Sequence, residues 1–252
     1  MGENNSGLVL GSKYNVKLIN DNCHAIGAKL NNDPGYAARH ADIVTQSYHP
    51  VKHITTGEGG AILTNNKIID EKVTMLRSHG IVRDPKKMSL NDGSWYYEMQ
   101  DLGFNYRITD FQCALGLSQL KKLKKFLKKR REIARIYDSE FSGSRFFVTP
   151  KARDNCDHAY HLYPLQINFE RLRISKKEFI SKMRKKNINL QVHYIPIHLQ
   201  PFYKKKFGFK KGDFPVAEKF YKNEISLPIF FSLKQKQVYN VIKFIKYLCQ
   251  KK

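Results

Sequence analysis

The chain has 252 residues, 41% of them hydrophobic, so it can bury a substantial core as one large domain or as a large and a small one. Its 45 Lys and Arg against 22 Asp and Glu give a formal net charge of +23, which alone suggests an anionic partner such as nucleic acid. The lysines, however, are spread along helical patterns, and no zinc-finger, RNP-type or helix-turn-helix signature organises them. We therefore expect no nucleic-acid partner.

Cysteine spacing and hydropathy narrow the class further. The four cysteines lie far apart without a CxxC pair, so the sequence predicts neither a zinc site nor a disulfide framework. The N-terminus lacks a secretory signal, and no segment has the apolar length of a membrane helix. The opening MGENNS resembles a myristoylation signal, but this pattern is permissive and has no second membrane signal beside it. We expect a cytoplasmic protein without a metal or a membrane partner.

Residues 16–21 are predicted to form a strand that ends in a carboxylate, Asp21. Ligands of open α/β sheets gather at the carboxyl ends of strands, so Asp21 is a candidate binding residue; the alternative is an aspartate that only turns the chain. His24 is close enough in sequence to serve the same pocket, or it is a structural histidine.

Residues 41–64, ADIVTQSYHPVKHITTGEGGAILT, predict two short strands joined by an irregular, glycine-rich loop. The connection contains no helix, so the two strands should pair antiparallel. A mostly parallel sheet with one reversed strand follows if the neighbouring strands are linked by helices. Ser47 ends the first strand, where its hydroxyl either binds a phosphate oxygen or belongs to an ordinary turn.

Lys52 lies in this loop and not on a helix face. A deprotonated lysine amine is a nucleophile toward a carbonyl, and partial burial beside His49 and His53 would favour that form. One alternative is a solvated lysine, the default in so lysine-rich a chain. The other is a metal site formed by the two histidines, although Pro50 disrupts the helix that would align them.

A predicted helix over residues 67–78 precedes a polar, aromatic loop over residues 79–107. Asn105 and Arg107 end that loop, directly before a helix that starts with a capping box of Thr109 and Gln112. A helix N-terminus with adjacent Asn and Arg is a candidate anion site.

The helical pattern continues to residue 141 and is interpreted as one long helix that bridges two domains, 1–142 and 143–252. The second domain should be a small α/β domain, with strands over 158–167 and 189–194 and helices over 175–186 and 232–250. The last helix should start with a capping box at Ser232 and Gln235. His193, Tyr194 and His198 surround a proline in VHYIPIH, either as ligand-facing rings or as packing aromatics.

Several segments resemble, in the same order, those of the DegT/DnrJ/EryC1/StrS sugar aminotransferase family: DNCHAIGA, SYHPVKHITTGEGGAILTNN, LRSHGI and LGFNYRITDFQCALGLSQL. The resemblance implies the α/β fold of PLP-dependent aspartate aminotransferase-like enzymes (fold type I), with an incomplete large domain and a small C-terminal α/β domain. HPVKHITTGEGG, ALGLSQLKK, VHYIPIH and EISLP are most similar to transaminases of the pseudaminic acid pathway.

The resemblance also implies the cofactor, pyridoxal 5'-phosphate, and the residues that bind it. Lys52 would be the catalytic lysine that holds the cofactor and shuttles a proton. Asn20 replaces an acidic residue of the family pattern, a tolerable departure because Asp21 makes the contact with the ring nitrogen. The matching asparagine of the family reaches the phosphate of the neighbouring subunit, which implies a homodimer with a shared active site. The remaining roles are His24 beside the cofactor ring, Ser47 and Asn105 at the phosphate, and Arg107, His193, Tyr194 and His198 at the nucleotide-sugar substrate.

The implied activity is transamination of a nucleotide-linked 4-keto-6-deoxy sugar, expected to be a UDP-linked N-acetyl amino sugar. Glutamate would be the amino donor, and the product a precursor of surface polysaccharide or flagellin glycan. A lysine at position 52 favours transamination over dehydration, for which the family typically has histidine there. The alternative is a truncated or regulatory relative that binds sugar nucleotide without turnover.

The family carries an N-terminal arm and a phosphate-binding loop before the strand of Asp21, where this chain has only residues 1–15. We therefore expect a C-terminal portion of a transaminase, either a truncated reading frame or half of a split enzyme with a separately encoded N-terminal part, poorly active alone. Asp21 should lie on a strand deep in the large domain. The sheet should expose edges and apolar helix faces that are normally covered.

Overall fold

The computed structural model describes residue 11 and residues 13–250, apart from the side chain of Gln250. The chain divides into two compact units, a first unit that ends at Leu123 and a second unit that begins at Lys124. The predicted division into domains 1–142 and 143–252 stays a prediction. Both units combine helices with short strands, which confirms the predicted α/β class.

The first unit contains a three-stranded sheet. Its described elements are β1 (Ile19–Asp21), β2 (Lys29–Leu30), α1 (Tyr36–Arg39), β3 (Ile43–Ser47), β4 (Gly60–Leu63), α2 (Lys67–Leu76), β5 (Ile81–Val82), a 3₁₀ helix (Pro85–Lys87), β6 (Glu98–Met99) and α3 (Asp110–Leu120). The strand order is β1-β3-β4, with β1 parallel to β3 and β4 antiparallel to β3. The predicted antiparallel pairing across the lysine loop is confirmed.

Side-chain caps start both longer helices of the first unit. At α2, Asn66 Oδ1 accepts hydrogen bonds from the N–H groups of Ile68 and Ile69 (2.9 and 3.2 Å). At α3, both halves of the predicted capping box are present: Thr109 Oγ1 accepts from the Gln112 N–H (3.3 Å), and Gln112 Oε1 accepts from the Thr109 N–H (3.0 Å).

Two predictions in this part of the chain are wrong. Residues 79–107 are not a loop throughout, because β5 and β6 pair antiparallel, with Ile81 opposite Met99. The single long helix is two helices, α3 and α4 (Leu123–Phe141). The Lys122 N–H donates to Gln119 O (2.9 Å), and this three-residue turn ends the four-residue hydrogen-bond pattern of α3.

The second unit contains a three-stranded antiparallel sheet in the order β10-β9-β7. After α4 its elements are β7 (Phe147–Val148), β8 (Cys156–Asp157), β9 (Pro164–Ile167), α5 (Phe169–Leu172), α6 (Lys176–Arg184), a 3₁₀ helix (Ile197–Leu199), α7 (Pro201–Phe207), α8 (Pro215–Asn223), β10 (Glu224–Ser226) and α9 (Gln235–Gln250). The strand predicted over residues 158–167 is therefore limited to β9.

Residues 189–194 do not form the predicted strand. Gln191 makes an isolated bridge with Ser226, and the His193 N–H donates to the Glu224 side chain instead of to a neighbouring strand (2.9 Å). A side-chain acceptor has replaced the backbone partner that a continuous ladder requires.

The predicted capping box of the last helix is also wrong. The helix α9 begins at Gln235, so Ser232 lies too far ahead of it to be its N-cap residue. A different side chain contacts the start of this helix: Gln237 Oε1 accepts a hydrogen bond from the Lys234 N–H (2.9 Å).

The helix α4 carries the hydrophobic core of the second unit. Its buried residues recur every three or four positions, as in an amphipathic helix, while β9 buries alternate residues. Two long-range hydrogen bonds tie α4 to the segment after β10: Arg130 Nη1 donates to Ile229 O and Tyr137 Oη donates to Pro228 O (both 2.8 Å). The core includes Ile133, Ala134, Tyr137 and Phe141 of α4, Leu165 and Ile167 of β9, and Val238, Val241, Ile242 and Ile245 of α9.

Two kinds of feature are absent from residue 11 and residues 13–250. None of their helices combines the length and the apolar character that a membrane crossing requires. No three His, Cys, Asp or Glu side chains among them are grouped so that they could hold a metal ion.

Candidate active site

Asp21 is the last residue of β1, at the carboxyl end of that strand, and lies opposite Thr45 of β3. Its Oδ1 accepts a hydrogen bond from the Cys23 N–H (3.1 Å). Among the described residues β1 lies at the edge of the sheet, and Asp21 is exposed. The position of Asp21 deep in a complete large domain stays a prediction.

The surroundings of Asp21 favour its ionised form. The hydrogen bonds of Cys23 are the largest cause that lowers the pKa of Asp21, and the charges of His24 and Lys52 lower it further. The Lys52 charge also acts on Cys23, although burial is the main cause and raises the pKa of that thiol. Asp21 pairs with Thr45 of β3, two residues before Ser47 ends that strand, so Asp21 and the lysine loop lie at the same edge of the sheet.

Lys52 lies in a turn that its own backbone closes, because the Lys52 N–H donates to His49 O (2.9 Å). Side chains support the same turn: Ser47 Oγ accepts from the His49 N–H (3.4 Å), and His49 Nδ1 accepts from the Val51 N–H (3.3 Å). Lys52 is half-buried and the following His53 is buried, which anchors the turn in the first unit. Ser47 therefore ends β3 beside the lysine turn, as predicted.

The threonine and glycine residues after Lys52 lead the chain back to β3. The Thr56 N–H donates to Tyr48 O (3.0 Å), and the Tyr48 N–H donates to Gly59 O (2.8 Å). At Gly60 only glycine fits, since a Cβ would lie 2.6 Å from Gln46 O on the paired strand. These contacts give the loop one defined path.

The helix α3 packs on the lysine loop. Gln112 Nε2 donates to Glu58 O (2.9 Å), and a Cβ at Gly116 would lie 2.9 Å from Thr56 Cγ2. From the sequence Gln112 is predicted only as a capping residue, and no pattern singles out Thr56 or Gly116. The capping box located the start of this helix, but no sequence signal identified the loop that the helix contacts.

Asn105 and Arg107 lie on a separate segment, directly before α3, and both are exposed. This segment is tied to the end of α2, because Asn105 bridges Ser78 and the Tyr106 N–H donates to Arg77 O (2.9 Å). The structure does not group these two side chains with Asp21 and Lys52. Their roles at the cofactor phosphate and the substrate stay predictions.

The other three predicted residues belong to the second unit. His193 Nδ1 lies 2.8 Å from Ser226 Oγ, and the neighbouring Tyr194 is 62% exposed. His198 is only 7% exposed, and its Nε2 lies 2.9 Å from Glu218 Oε1, a hydrogen bond that lowers the pKa of Glu218. This pairing favours a structural role for His198, and the roles of all three at a substrate stay predictions.

Comparison with known families decides the ancestry of the chain. The model of the DegT/DnrJ/EryC1/StrS aminotransferase family matches residues 8–246. The chain belongs to this family. DegT/DnrJ/EryC1/StrS aminotransferases are pyridoxal phosphate-dependent enzymes of fold type I, so the predicted family and fold are confirmed.

Individual members of the DegT/DnrJ/EryC1/StrS family are similar to this chain in both sequence and structure. A UDP-4-amino-4,6-dideoxy-N-acetyl-beta-L-altrosamine transaminase of Campylobacter jejuni is 40% identical over 237 residues, which cover 94% of this chain and 58% of that protein. Helicobacter pylori PseC, an aminotransferase involved in the biosynthesis of pseudoaminic acid, matches with a TM-score of 0.86 at 32% identity, covering 99% of this chain and 64% of that one. The PLP form of Spr1654 from Streptococcus pneumoniae matches with a TM-score of 0.81 at 29% identity, covering 96% and 60%. The chain thus spans about three fifths of the length of these relatives.

Proposed function

We propose that the chain carries the cofactor-binding centre of a pyridoxal 5'-phosphate-dependent sugar aminotransferase, with Lys52 as its catalytic residue. The observation that carries the proposal is that Asp21 and the lysine loop follow the same, carboxyl-terminal ends of two paired parallel strands, β1 and β3. Bound pyridoxal phosphate supplies an electron sink, provided that its ring nitrogen is protonated. Asp21 suits that requirement, because an aspartate is ionised at neutral pH and the hydrogen bonds of Cys23 lower its pKa further.

The other residues have binding and proton-holding tasks in this proposal. Lys52 Nζ binds the cofactor and carries a proton to and from it. The Ser47 hydroxyl, at the end of β3, binds the phosphate, and His24 lies beside the ring. Asn105 of a second copy completes the phosphate site, so the active form is a homodimer.

The proposed substrate is a UDP-linked 4-keto-6-deoxy N-acetyl sugar, with glutamate as the amino donor. The support is the 40% identity to a transaminase of that substrate class and the match to PseC. Arg107, His193, Tyr194 and His198 are the proposed substrate residues. The proposed compartment is the cytoplasm, which suits the four free cysteines.

Borohydride reduction tests the assignment of Lys52. The purified chain is incubated with an equimolar amount of pyridoxal phosphate, reduced and mapped by peptide mass spectrometry. The pyridoxyl group should be found on Lys52 and should disappear in Lys52→Ala. Lys67→Ala, which removes an exposed lysine of α2, is the matched control and should leave the modification unchanged.

A pyridoxyl group on another lysine, or on none in a folded sample, would contradict the proposal. Sugar-nucleotide binding without turnover in the wild-type chain, unchanged in Lys52→Ala, would support a non-catalytic, sugar-nucleotide-binding protein instead. A panel of keto sugars tests the substrate separately, and a strong preference for a GDP- or dTDP-linked sugar would overturn the proposed nucleotide.

A further inference from the structure

A buried chain of hydrogen bonds lies behind His193 in the second unit. Its first members are two residues of β10, the fully buried Glu224 and Ser226, which is 4% exposed. The Ser226 hydroxyl donates to Glu224 Oε1 (2.5 Å), and Ser226 Oγ lies 2.8 Å from His193 Nδ1. The second carboxylate oxygen, Glu224 Oε2, accepts the backbone N–H of His193 (2.9 Å). One carboxylate therefore holds the main chain of His193 directly and its ring through the serine.

The position of Glu224 inside a hydrophobic core requires a charged or polar partner, because an unpaired buried carboxylate is strongly destabilising. Lys176, the first residue of α6, supplies the nearby positive charge. Its Nζ donates to Tyr221 O (2.5 Å) and lies 4.7 Å from the centroid of the Tyr221 ring. Burial is the main cause that lowers the pKa of Lys176, and the negative charge of Glu224 acts in the opposite direction. Both oxygens of Glu224 lie at acceptor positions, Oε1 toward the Ser226 hydroxyl and Oε2 toward the His193 N–H, which is the arrangement of an ionised carboxylate.

The hydrogen atoms in this series of hydrogen bonds can then be assigned. An ionised carboxylate only accepts hydrogen bonds, so the single hydroxyl hydrogen of Ser226 points to Glu224. Ser226 Oγ is left to accept from His193, and His193 Nδ1 must carry the hydrogen. In a neutral imidazole with hydrogen on Nδ1, the other nitrogen, Nε2, is an acceptor.

We propose that Glu224 and Ser226 are positioning residues that fix the tautomer of His193, with its hydrogen on Nδ1. In the neutral form of His193, Nε2 then has acceptor chemistry and favours a hydrogen-bond donor, such as a hydroxyl or an amide N–H, over a carbonyl oxygen. The assignment of that donor to the hydroxyl or acetamido group of a sugar substrate rests on the proposed function. The tautomer itself does not.

Nitrogen-15 NMR of the full chain, labelled at histidine, reads the tautomer directly. The His193 signals, identified by their loss in His193→Gln, should report hydrogen on Nδ1 in the wild-type chain at neutral pH. Ser226→Ala removes the acceptor and should shift the signals toward the form with hydrogen on Nε2. Ser226→Thr keeps the hydroxyl and should restore the wild-type signals, which a purely structural effect of the serine would not explain.

Glu218→Gln is the matched control, because Glu218 contacts His198, a buried histidine of the same unit. It should shift the signals of His198 and leave those of His193 unchanged. Should Ser226→Ala fail to fold, Glu224→Gln keeps the shape of the side chain and should perturb the His193 signals by itself. In an active preparation, Ser226→Ala should raise KM for the keto sugar about tenfold, the loss of one hydrogen bond, with a smaller change in kcat.

Hydrogen on Nε2 of His193 in the wild-type chain, or His193 signals that do not change in folded Ser226→Ala, would overturn the inference. Neither measurement depends on cofactor or turnover. A failed pyridoxyl modification of Lys52 together with the expected His193 signals would therefore reject the proposed function alone, and the reverse result would reject only the tautomer.

Discussion

Each of the two units is stabilised by a different kind of interaction. A continuous cluster of buried apolar side chains joins α4, β9 and α9 in the second unit. In the described part of the first unit, the buried hydrophobic residues are Val44 and Ile54, while Phe111 of α3 is 90% exposed. The apolar side chain of Phe111 on α3 is thus exposed, and the predicted cause, a missing N-terminal region, stays a prediction. Packing defines the second unit, whereas caps, turns and glycine contacts define the first.

This difference matters because the candidate cofactor residues Asp21 and Lys52 lie in the unit without a large core. Hydrogen bonds at Tyr48, Thr56 and Gln112 give the lysine loop its shape, but such bonds contribute little net stability individually. Exposed apolar faces of this extent are typical of surfaces that another subunit or segment covers, which agrees with the proposed homodimer. The stability of the first unit should therefore depend more than that of the second on contacts with another subunit or segment.

Removing one phenylalanine from each unit should have the largest effect and should show the difference in packing between the two units. Phe141 is fully buried, so Phe141→Ala should lower the free energy of unfolding of the second unit by about 3–5 kcal/mol. Phe111→Ala removes the same ring from an exposed site and should change it by less than about 0.5 kcal/mol. Urea unfolding, followed by circular dichroism and by the fluorescence of Trp95 in the first unit, gives both values. A large loss in Phe111→Ala that depends on protein concentration would mean that an assembly buries this ring.

Removing one helix cap from each unit should have a smaller effect. Ser175→Ala should lower the free energy of unfolding of the second unit by about 1 kcal/mol, because α6 packs Phe179 into the core. Thr109→Ala loses a similar contact, but α3 has no buried residue, so only this helix should open. Hydrogen exchange should accelerate about fivefold in α3 and remain unchanged in the second unit. An equal global destabilisation by both variants would contradict the comparison.

Lowering the pH should destabilise the contacts around Glu98 in the first unit, and this effect should be smaller than those of the two pairs of variants. The hydrogen bonds of Ser89 are the main cause that lowers the pKa of Glu98 to about 2. Because this folded-state pKa is below the ordinary value, the stabilisation is complete above about pH 4.5 and is lost as the pH falls toward about 2. Trp95 fluorescence should report this change, and Glu98→Gln should remove it. Fluorescence that is constant in the wild-type chain, or equally pH-dependent in Glu98→Gln, would contradict the role of Glu98.

The predictions that succeeded depended on residues close together in the chain. The antiparallel pairing of β3 with β4 followed from a connection without a helix, and the capping box of Thr109 and Gln112 from their three-residue spacing. Local spacing alone did not suffice, since Ser232 and Gln235 have the same spacing and form no capping box. The failed strand over residues 189–194 depended on a distant partner. The main chain at His193 leaves its expected strand because its N–H binds the Glu224 side chain, and no local pattern indicates that contact.

The candidate site divides in the same way. Asp21 could be placed at the carboxyl end of its strand and Lys52 in its loop from the residues around each. The exposure of Asp21 could not be predicted, because it depends on which strands lie beside β1 in the sheet. Ser226 was part of EISLP, a segment noted only for its resemblance, and its contact with His193 arises from the bridge between Gln191 and β10.

The hydrogen bonds between α4 and the segment after β10 join parts of the chain that the ribosome makes at different times. Arg130 precedes Ile229, the carbonyl that it binds, by 99 residues. At a translation rate of about 5–20 residues per second, roughly 5–20 s pass between the two on the ribosome. During that time the apolar side of α4 has no α9 to cover it, and chaperones or other nascent chains can bind it instead. The yield of folded protein in a cell should therefore depend on the translation rate of this stretch as well as on the stability of the finished core.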